Sequence, residues 1–336
     1  MLPGKIPPGL LESVVLTRLG ATDEDVILGP GTGRDAALVR VGNRLLVMSC
    51  DPITGSINDA GWLAVHVNAN DIATFGISPS WFLASIMLPT GSSSDDLERI
   101  MGQINNACRD LGIAVVGGHT EVSHCVSRPI VSGFMVGVVH DGRYVTSSGA
   151  RPGDRIVVTK SVGIEGTAIL ATDGREYLSK FMTPEQLDEA ASLRNRISVV
   201  HDGVTAFRTG HVTAMHDPTE GGLAGALHEI CDASRVGFRV DTSRIPVHPL
   251  TRRICDILRL DVLGLISSGC MLIAVKPDHV TDVVSALWEI GIPAAEIGEI
   301  TGHIAERTVL TNEGEVHLPR PETDALWEGL RRVGVE

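Results

Sequence analysis

The apolar positions of this chain fall into two alternating patterns. Short runs of valine, isoleucine, leucine and alanine, bounded by turn residues, predict strands over residues 45–48, 81–88, 114–116, 131–139, 156–160, 238–240, 270–275 and 295–300. Between them, apolar residues at three- and four-residue spacing predict helices over 10–19, 62–72, 94–111, 168–171, 250–258 and 278–290. Residues 174–199 read as helical and polar. The strand at 114–116 reads as buried, and the helix at 94–111 as capped by Ser94 or Asp95. This alternation predicts an α/β (α+β) fold. Ser147, Ser148, Gly149, Pro152 and Gly153 crowd into residues 146–154 and mark a linker. A chain of 336 residues exceeds one ordinary core, so two α/β domains are expected, at 1–150 and 151–336.

The polar residues that interrupt this pattern gather where strands end. His216-Asp217-Pro218-Thr219-Glu220-Gly221-Gly222 follows the apolar pair Ala214-Met215, and Leu223, Ala226, Leu227 and Ile230 then recur at helical spacing. The stretch reads as strand end, tight turn and helix start. Asp217 and Thr219 are of N-cap type, and the glycines allow close backbone approach. A helix N-terminus attracts anions, yet Asp217 and Glu220 bring negative charge to it. A cation between carboxylate and anion, as in a Mg2+–nucleotide site, reconciles the two. A capped helix with a solvated acidic turn is the plainer alternative.

Three further stretches share this grammar. A glycine-rich turn at 29–33 leads to Asp35 but lacks the Gly-Lys-Ser/Thr of a P-loop. Asp51 closes the strand at 45–48, where α/β proteins place ligands. The helix at 62–72 is apolar except for Asn68, Asn70 and Asp71, which need partners if buried. Brought together, Asp35, Asp51 and Asp71 would give a cation several hard oxygen ligands; alternatively each caps a turn. Gly117-Gly118-His119-Thr120 follows the strand at 114–116. His119 reads as a general base, a metal ligand, a nucleobase contact, or a histidine merely hydrogen-bonded at a strand end. Gly163 to Thr167 forms a second glycine-bearing turn, and Lys5, in a loop rich in glycine and proline, is either a phosphate contact or a free surface charge.

Composition narrows the partners. A net charge of −13 disfavours nonspecific nucleic-acid binding, and 4% aromatic residues leave few stacking platforms. Neither opposes ATP, because Mg2+ bridges two negative partners. Six scattered cysteines without a C-x-x-C pair read as reduced, mostly buried thiols of a cytoplasmic protein. The first residues lack a signal-peptide core, and no apolar run is long enough to span a membrane.

Five motifs in register resemble the AIR synthase (PurM-like) superfamily. They are Gly33-Arg34-Asp35-Ala36-Ala37, Ser49-Cys50-Asp51, Asn68-Ala69-Asn70-Asp71-Ile72-Ala73, Gly117-Gly118-His119-Thr120 and His216 to Gly222. That group includes aminoimidazole ribonucleotide synthetase, thiamine-monophosphate kinase, selenophosphate synthetase and the hydrogenase-maturation proteins of the HypE type. The stretches 246–265 and 269–275 resemble the HypE C-terminal domain. The resemblance implies a dimerising N-terminal domain and a C-terminal domain closing over ATP. It implies Mg2+ held by Asp35, Asp51, Asp71 and Asp217, and nucleotide contacts from Lys5, Asn68, Asn70, Gly117, Gly118, Thr120, Gly163, Gly166, Thr219, Glu220, Gly221 and Gly222. Asp71 and His119 are then the catalytic candidates.

The implied chemistry is ATP-driven phosphoryl transfer or dehydration of a small substrate, with a maturation protein as partner. A noncatalytic nucleotide-binding partner, or a kinase of the thiamine-monophosphate type, are the alternatives. Three departures qualify the match. No cysteine follows Cys270, so a thiol in the tail Pro-Arg-Ile-Cys manner of HypE is not expected to act. Arg34 stands where an acidic residue is common, and His119 where HypE proteins carry Asp. The Gly-Cys-Gly-Cys-Lys pattern of selenophosphate synthesis is absent.

Overall fold

The computed structural model describes residues 6–54 and 59–335. The chain forms two compact units. The smaller comprises Thr22–Pro30 and Asp35–Tyr144, and the larger Met1–Ala21, Gly31–Arg34 and Val145–Glu336.

The smaller unit is a six-stranded sheet with two helices. Its strands are β1 (Val26–Leu28), β2 (Ala37–Val41), β3 (Arg44–Ile53), β4 (Pro79–Pro89), β5 (Ala114–Ser123) and β6 (Ile130–Val139), in the spatial order β1-β2-β3-β6-β4-β5. All neighbours are antiparallel except β4 and β5. The helix α1 (Ala60–Ala73) is apolar nearly all round, and twelve of its fourteen residues are buried, as its composition requires. It packs on β3, β6 and β4. The helix α2 (Ser94–Leu111) joins β4 to β5 and buries only Ile100, Ile104, Ala107 and Cys108. Its cap is Ser93, one residue before the expected position, because Ser93 and Asp96 exchange the two hydrogen bonds of a capping box. Gly112 ends the helix in the left-handed conformation. Gly61 lets the two helices touch, since a Cβ there would meet the Ile100 carbonyl at 2.4 Å.

The strand expected to be buried at 114–116 is neither buried nor that short. β5 runs to Ser123 and all its residues but the last are exposed. It is an edge strand paired only with β4, so nothing in this unit covers it. Val115, Val116 and Val122 are therefore on the surface.

The larger unit holds a seven-stranded sheet of β7 (Arg155–Thr159), β8 (Val212–His216), β9 (Gly237–Asp241), β10 (Leu272–Val275), β11 (Ala294–Thr301), β12 (Arg307–Thr311) and β13 (Gly314–His317). The order is β13-β12-β9-β11-β7-β10-β8, with only β9 and β12 parallel. Its helices of nine residues or more are α3 (Ile164–Asp173), α4 (Pro184–Ser192), α5 (Val200–Arg208), α6 (Gly222–Ser234), α7 (Pro249–Leu258), α8 (Val280–Glu289) and α9 (Ala325–Val333). One core lies between sheet and α6, where Leu223, Leu227 and Ile230 meet Phe238, Val240 and Ile297. A second joins helices, with Leu170, Leu187, Ile254, Leu258 and Leu330.

Several expectations shift. The helix at 10–19 is only Pro8–Leu10 continued by π-helical Leu11–Val15, which buries nothing. The polar stretch 174–199 breaks into three pieces, because Thr183 and Gln186 form a capping box ahead of Pro184. α3 begins at Ile164, so Glu165 and Gly166 lie inside its first turn. Six elements escaped the pattern: β1, β2, α5, the mostly exposed hairpin β12–β13, and α9.

Gly133 on β6 faces α1. A Cβ there would meet Asn68 Nδ2 at 2.5 Å and the Phe82 ring at 2.8 Å. Gly133→Ala is expected to destabilise this unit by about 1–3 kcal/mol, measured by denaturant unfolding. Unchanged stability would contradict this packing.

Candidate functional site

In the smaller unit the site is built on one asparagine. Asn68 Oδ1 accepts from the Asp51 N–H at 2.8 Å, and Asn68 Nδ2 donates to the Asp51 carbonyl at 3.2 Å. The side chain thus behaves as an extra strand residue pairing with β3. Its second amide proton goes to the Ala64 carbonyl at 2.9 Å, and its own carbonyl accepts from Ser49 Oγ at 3.0 Å. Both N–H groups of the amide are spent inside the protein, which makes Asn68 a positioning residue for β3 against α1.

The strap fixes two carboxylates. Asp71 follows Asn68 by one helical turn, hence on the same face of α1, and Asp51 alternates with Ser49 on β3. Asp71 is 5% exposed, Asn70 is fully buried and Asp51 is half-buried. Asp35 leads into β2 and is half-buried. The ligand atoms of Asp35, Asp51 and Asp71 do not all lie within 4.8 Å of one another. Gly117, Gly118, His119 and Thr120 lie along exposed β5. Gly118 has φ 150°, and a Cβ there would meet the Ala84 carbonyl at 2.1 Å. Its glycine serves strand pairing. His119 Nε2 lies 3.4 Å from Glu121 Oε2, both side chains in solvent.

In the larger unit β8 ends at His216 and α6 starts at Gly222. His216 Nε2 meets Glu229 Oε2 at 2.8 Å, tying strand end to helix. Asp217 is 1% exposed, whereas Thr219 and Glu220 are half-buried. The cap of α6 is Gly221, in the left-handed conformation, not Asp217 or Thr219. The Gly221 N–H donates to Asp324 Oδ2 at 2.6 Å, and the Gly222 N–H to the Thr219 carbonyl. A Cβ on Gly222 would meet the Leu263 and Leu265 carbonyls at 2.5 and 2.6 Å. The α3 turn behaves alike. The Gly163 N–H donates to Ser267 Oγ, the Gly166 N–H to the Ile266 carbonyl, and Gly166 packs on Leu265. Gly163, Gly166, Gly221 and Gly222 therefore spend their N–H groups inside the protein. Gly163, Gly166 and Gly222 are also close-packing positions, where a Cβ would meet a neighbour at 2.5–2.9 Å, whereas at Gly221 only the left-handed backbone calls for glycine. Lys5 lies outside the described residues.

Two carboxyl groups escaped the sequence reading. Glu165, in the first turn of α3, is pushed up to about 7 by burial, with Asp324 and Glu220 adding repulsion against a hydrogen bond from Ser268. Glu165 Oε2 is buried with no hydrogen-bond partner among the described residues. Asp324 is pushed up to about 6 by burial, although the N–H groups of Leu326, Gly221 and Ile266 bind it. The only sequence signal was Glu165 between two glycines.

Residues 33–139 match the model of the AIR synthase related protein, N-terminal domain, and residues 151–309 that of its C-terminal domain. The chain belongs to the AIR synthase-related, PurM-like superfamily. Within it the relatives are hydrogenase-maturation proteins. A putative hydrogenase expression/formation protein of Methanocaldococcus jannaschii is 32% identical over 89% of this chain and 88% of its own. The carbamoyl dehydratase HypE of Rhizobium leguminosarum bv. viciae is 33% identical over 80% and 77%. The crystal structure of the hydrogenase maturation protein HypE in complex with ATP superposes with a TM-score of 0.73 at 24% identity, covering 96% of this chain and 97% of that one. This protein is thus a HypE-like member of the superfamily. No helix among the described residues is long and apolar enough to cross a membrane.

Glu165 makes stability depend on pH. Below its unfolded value of 4.5 both states are neutral. Between there and about 7 the unfolded chain ionises first, so stability falls as pH rises through this window. Glu165→Gln is expected to flatten the fall in Tm between pH 5 and 8 and to raise Tm at pH 8, at roughly 2–4 °C per kcal/mol recovered. An unchanged pH profile by scanning calorimetry would contradict the burial of this charge.

Proposed function

We propose that this protein is a Mg2+–ATP-dependent enzyme of the HypE type, which activates an oxygen of a small or protein-bound acceptor by phosphorylation and drives its dehydration. The observation that carries the reading is the Asn68 strap holding Asp51 and Asp71 on one face of α1 and β3. The sequence relation to a carbamoyl dehydratase supports the class of chemistry.

The donor set suits Mg2+. Hard carboxylate oxygens are its ligands, and Mg2+ bound with phosphates needs only one or two of them, since waters and phosphate oxygens complete its shell. The lack of a single three-carboxylate shell is therefore compatible with a Mg2+–triphosphate. The ion supplies charge neutralisation for the transferred phosphoryl group. Asp51 and Asp71 would hold it in the smaller unit, with Asp35 of the same unit as a further ligand, and Asp217 is the ligand candidate of the larger unit. Asn70 and Thr120 in the smaller unit, and separately Thr219 and Glu220 in the larger, stay nucleotide candidates, as does Lys5 from the sequence. The acceptor oxygen takes the γ-phosphoryl group, ADP leaves, and that oxygen then departs as phosphate. His119 handles the acceptor's proton.

The protein acts as a cytoplasmic homodimer and docks with other maturation proteins. The exposed edge strand β5 supports dimerisation, because an uncovered edge with Val115, Val116 and Val122 on the surface is a liability for a monomer.

Asp71→Asn is expected to weaken Mg2+–ATP binding tenfold or more, about 1.4 kcal/mol upwards. The pure protein is expected to release ADP steadily once its acceptor is supplied from a metabolite and partner panel. Unchanged affinity removes Asp71 from the site, and binding without turnover under every condition contradicts the enzyme reading. Val122→Lys, at an exposed position, is expected to shift the protein from dimer to monomer in light scattering. An unaltered mass would place the dimer contact elsewhere.

A further inference from the structure

A second set of ligand-type side chains lies at the far end of β8, in the larger unit. His211 immediately precedes β8, His279 closes the 3-10 turn Pro277–His279 after β10, and Asp282 lies in the first turn of α8. β8 and β10 are antiparallel neighbours, so the start of one and the end of the other share one edge of the sheet. The Lys276 N–H donates to the His211 carbonyl at 3.1 Å and fixes the two loops together. The five residues of β8 separate His211 from Asp217, about 17–20 Å along the strand.

The side chains converge. The imidazoles of His211 and His279 stack with centroids 3.6 Å apart and planes within 3°. Asp282 Oδ2 lies 2.8 Å from His279 Nδ1 and 3.8 Å from His211 Nε2. One ligand atom from each residue lies within 4.8 Å of the others. His211 Nδ1 is buried and has no hydrogen-bond partner among the described residues. His211 Nε2 is too far from Asp282 for a hydrogen bond. Neither nitrogen of this ring therefore has a hydrogen-bond partner among the described residues, although the ring is held against a second imidazole and a carboxylate. The Lys276 ammonium donates to the Gly210 carbonyl at 3.3 Å.

We propose that His211, His279 and Asp282 form a surface binding site for a divalent transition-metal ion of the zinc class. Two imidazoles and one carboxylate are the donor set such ions prefer, and Mg2+ does not. Ligand distances of about 2.0–2.2 Å bring the three atoms closer than they now lie. A tilt of the two rings out of their parallel stack achieves this. Three protein ligands leave a coordination position for water or for a group from a partner. The site is separate from the proposed nucleotide chemistry, and neither depends on the other.

The test is titration of the full-length protein with Zn2+ at pH 7.5, read by competition with a chromophoric chelator. One equivalent is expected to bind, and millimolar Mg2+ not to displace it. His279→Ala and Asp282→Asn, both surface substitutions, are each expected to weaken Zn2+ binding at least tenfold and to leave ATP affinity unchanged. Lowering the pH to 5.5 is expected to release the ion as the imidazoles protonate. Absence of stoichiometric binding, or binding that survives both substitutions, overturns the proposal.

Discussion

A side-chain amide imitating a strand is the interaction on which the proposed chemistry depends. Asn68 exchanges two hydrogen bonds with the Asp51 backbone, and in doing so it docks an apolar helix onto β3 at one fixed rotation. A helix that is hydrophobic all round has no amphipathic preference to set its rotation. The buried polar residues of α1 supply it, since any other rotation strands an amide in the core. Gly133 on β6 completes the arrangement by leaving room for the Asn68 amide. Packing, hydrogen bonding and the placement of Asp51 and Asp71 are thus one constraint.

The larger unit solves a different problem. Two helices, α3 and α6, begin close to a cluster of buried carboxyl groups, and their glycine turns are closed by the protein itself. Asp324 takes N–H groups from Gly221, Ile266 and Leu326. Glu165 nearby has no equivalent set of donors, so burial decides its behaviour and keeps it protonated to about pH 7. An acidic group held neutral at that pH next to half-buried Glu220 makes the region responsive to cations and to protons.

Much of the fold was legible because its period is strong. The strands β3, β4, β6, β7, β10 and β11 and the helices α1, α2, α7 and α8 stood out by alternation or helical spacing. The family likeness was legible because five short motifs kept their order. The elements that were missed are those whose burial is slight or interrupted. β12 and β13 carry mostly exposed or half-buried residues, and α5 is nine residues long with Asp202 buried in a pair with Lys160. The exposure of β5 was illegible, because an edge position is a property of strand order, not of the residues 114–116. The glycines carry a related ambiguity. Gly222 is demanded by the Leu263 and Leu265 carbonyls, which are far away in sequence, and nothing local separates that demand from a ligand's. Asn68, by contrast, announced itself as a polar residue inside an apolar helix, and its partner was the only unknown.

The most direct measurement is the position of a scattering ion. Crystals grown with Mn2+ in place of Mg2+ and a non-hydrolysable ATP analogue give anomalous density at the metal. If the Asn68 strap exists to place carboxylates for a nucleotide-bound cation, that density lies in contact with Asp51 or Asp71, directly or through one water. An ion found only away from both carboxylates, with the nucleotide bound, would contradict it.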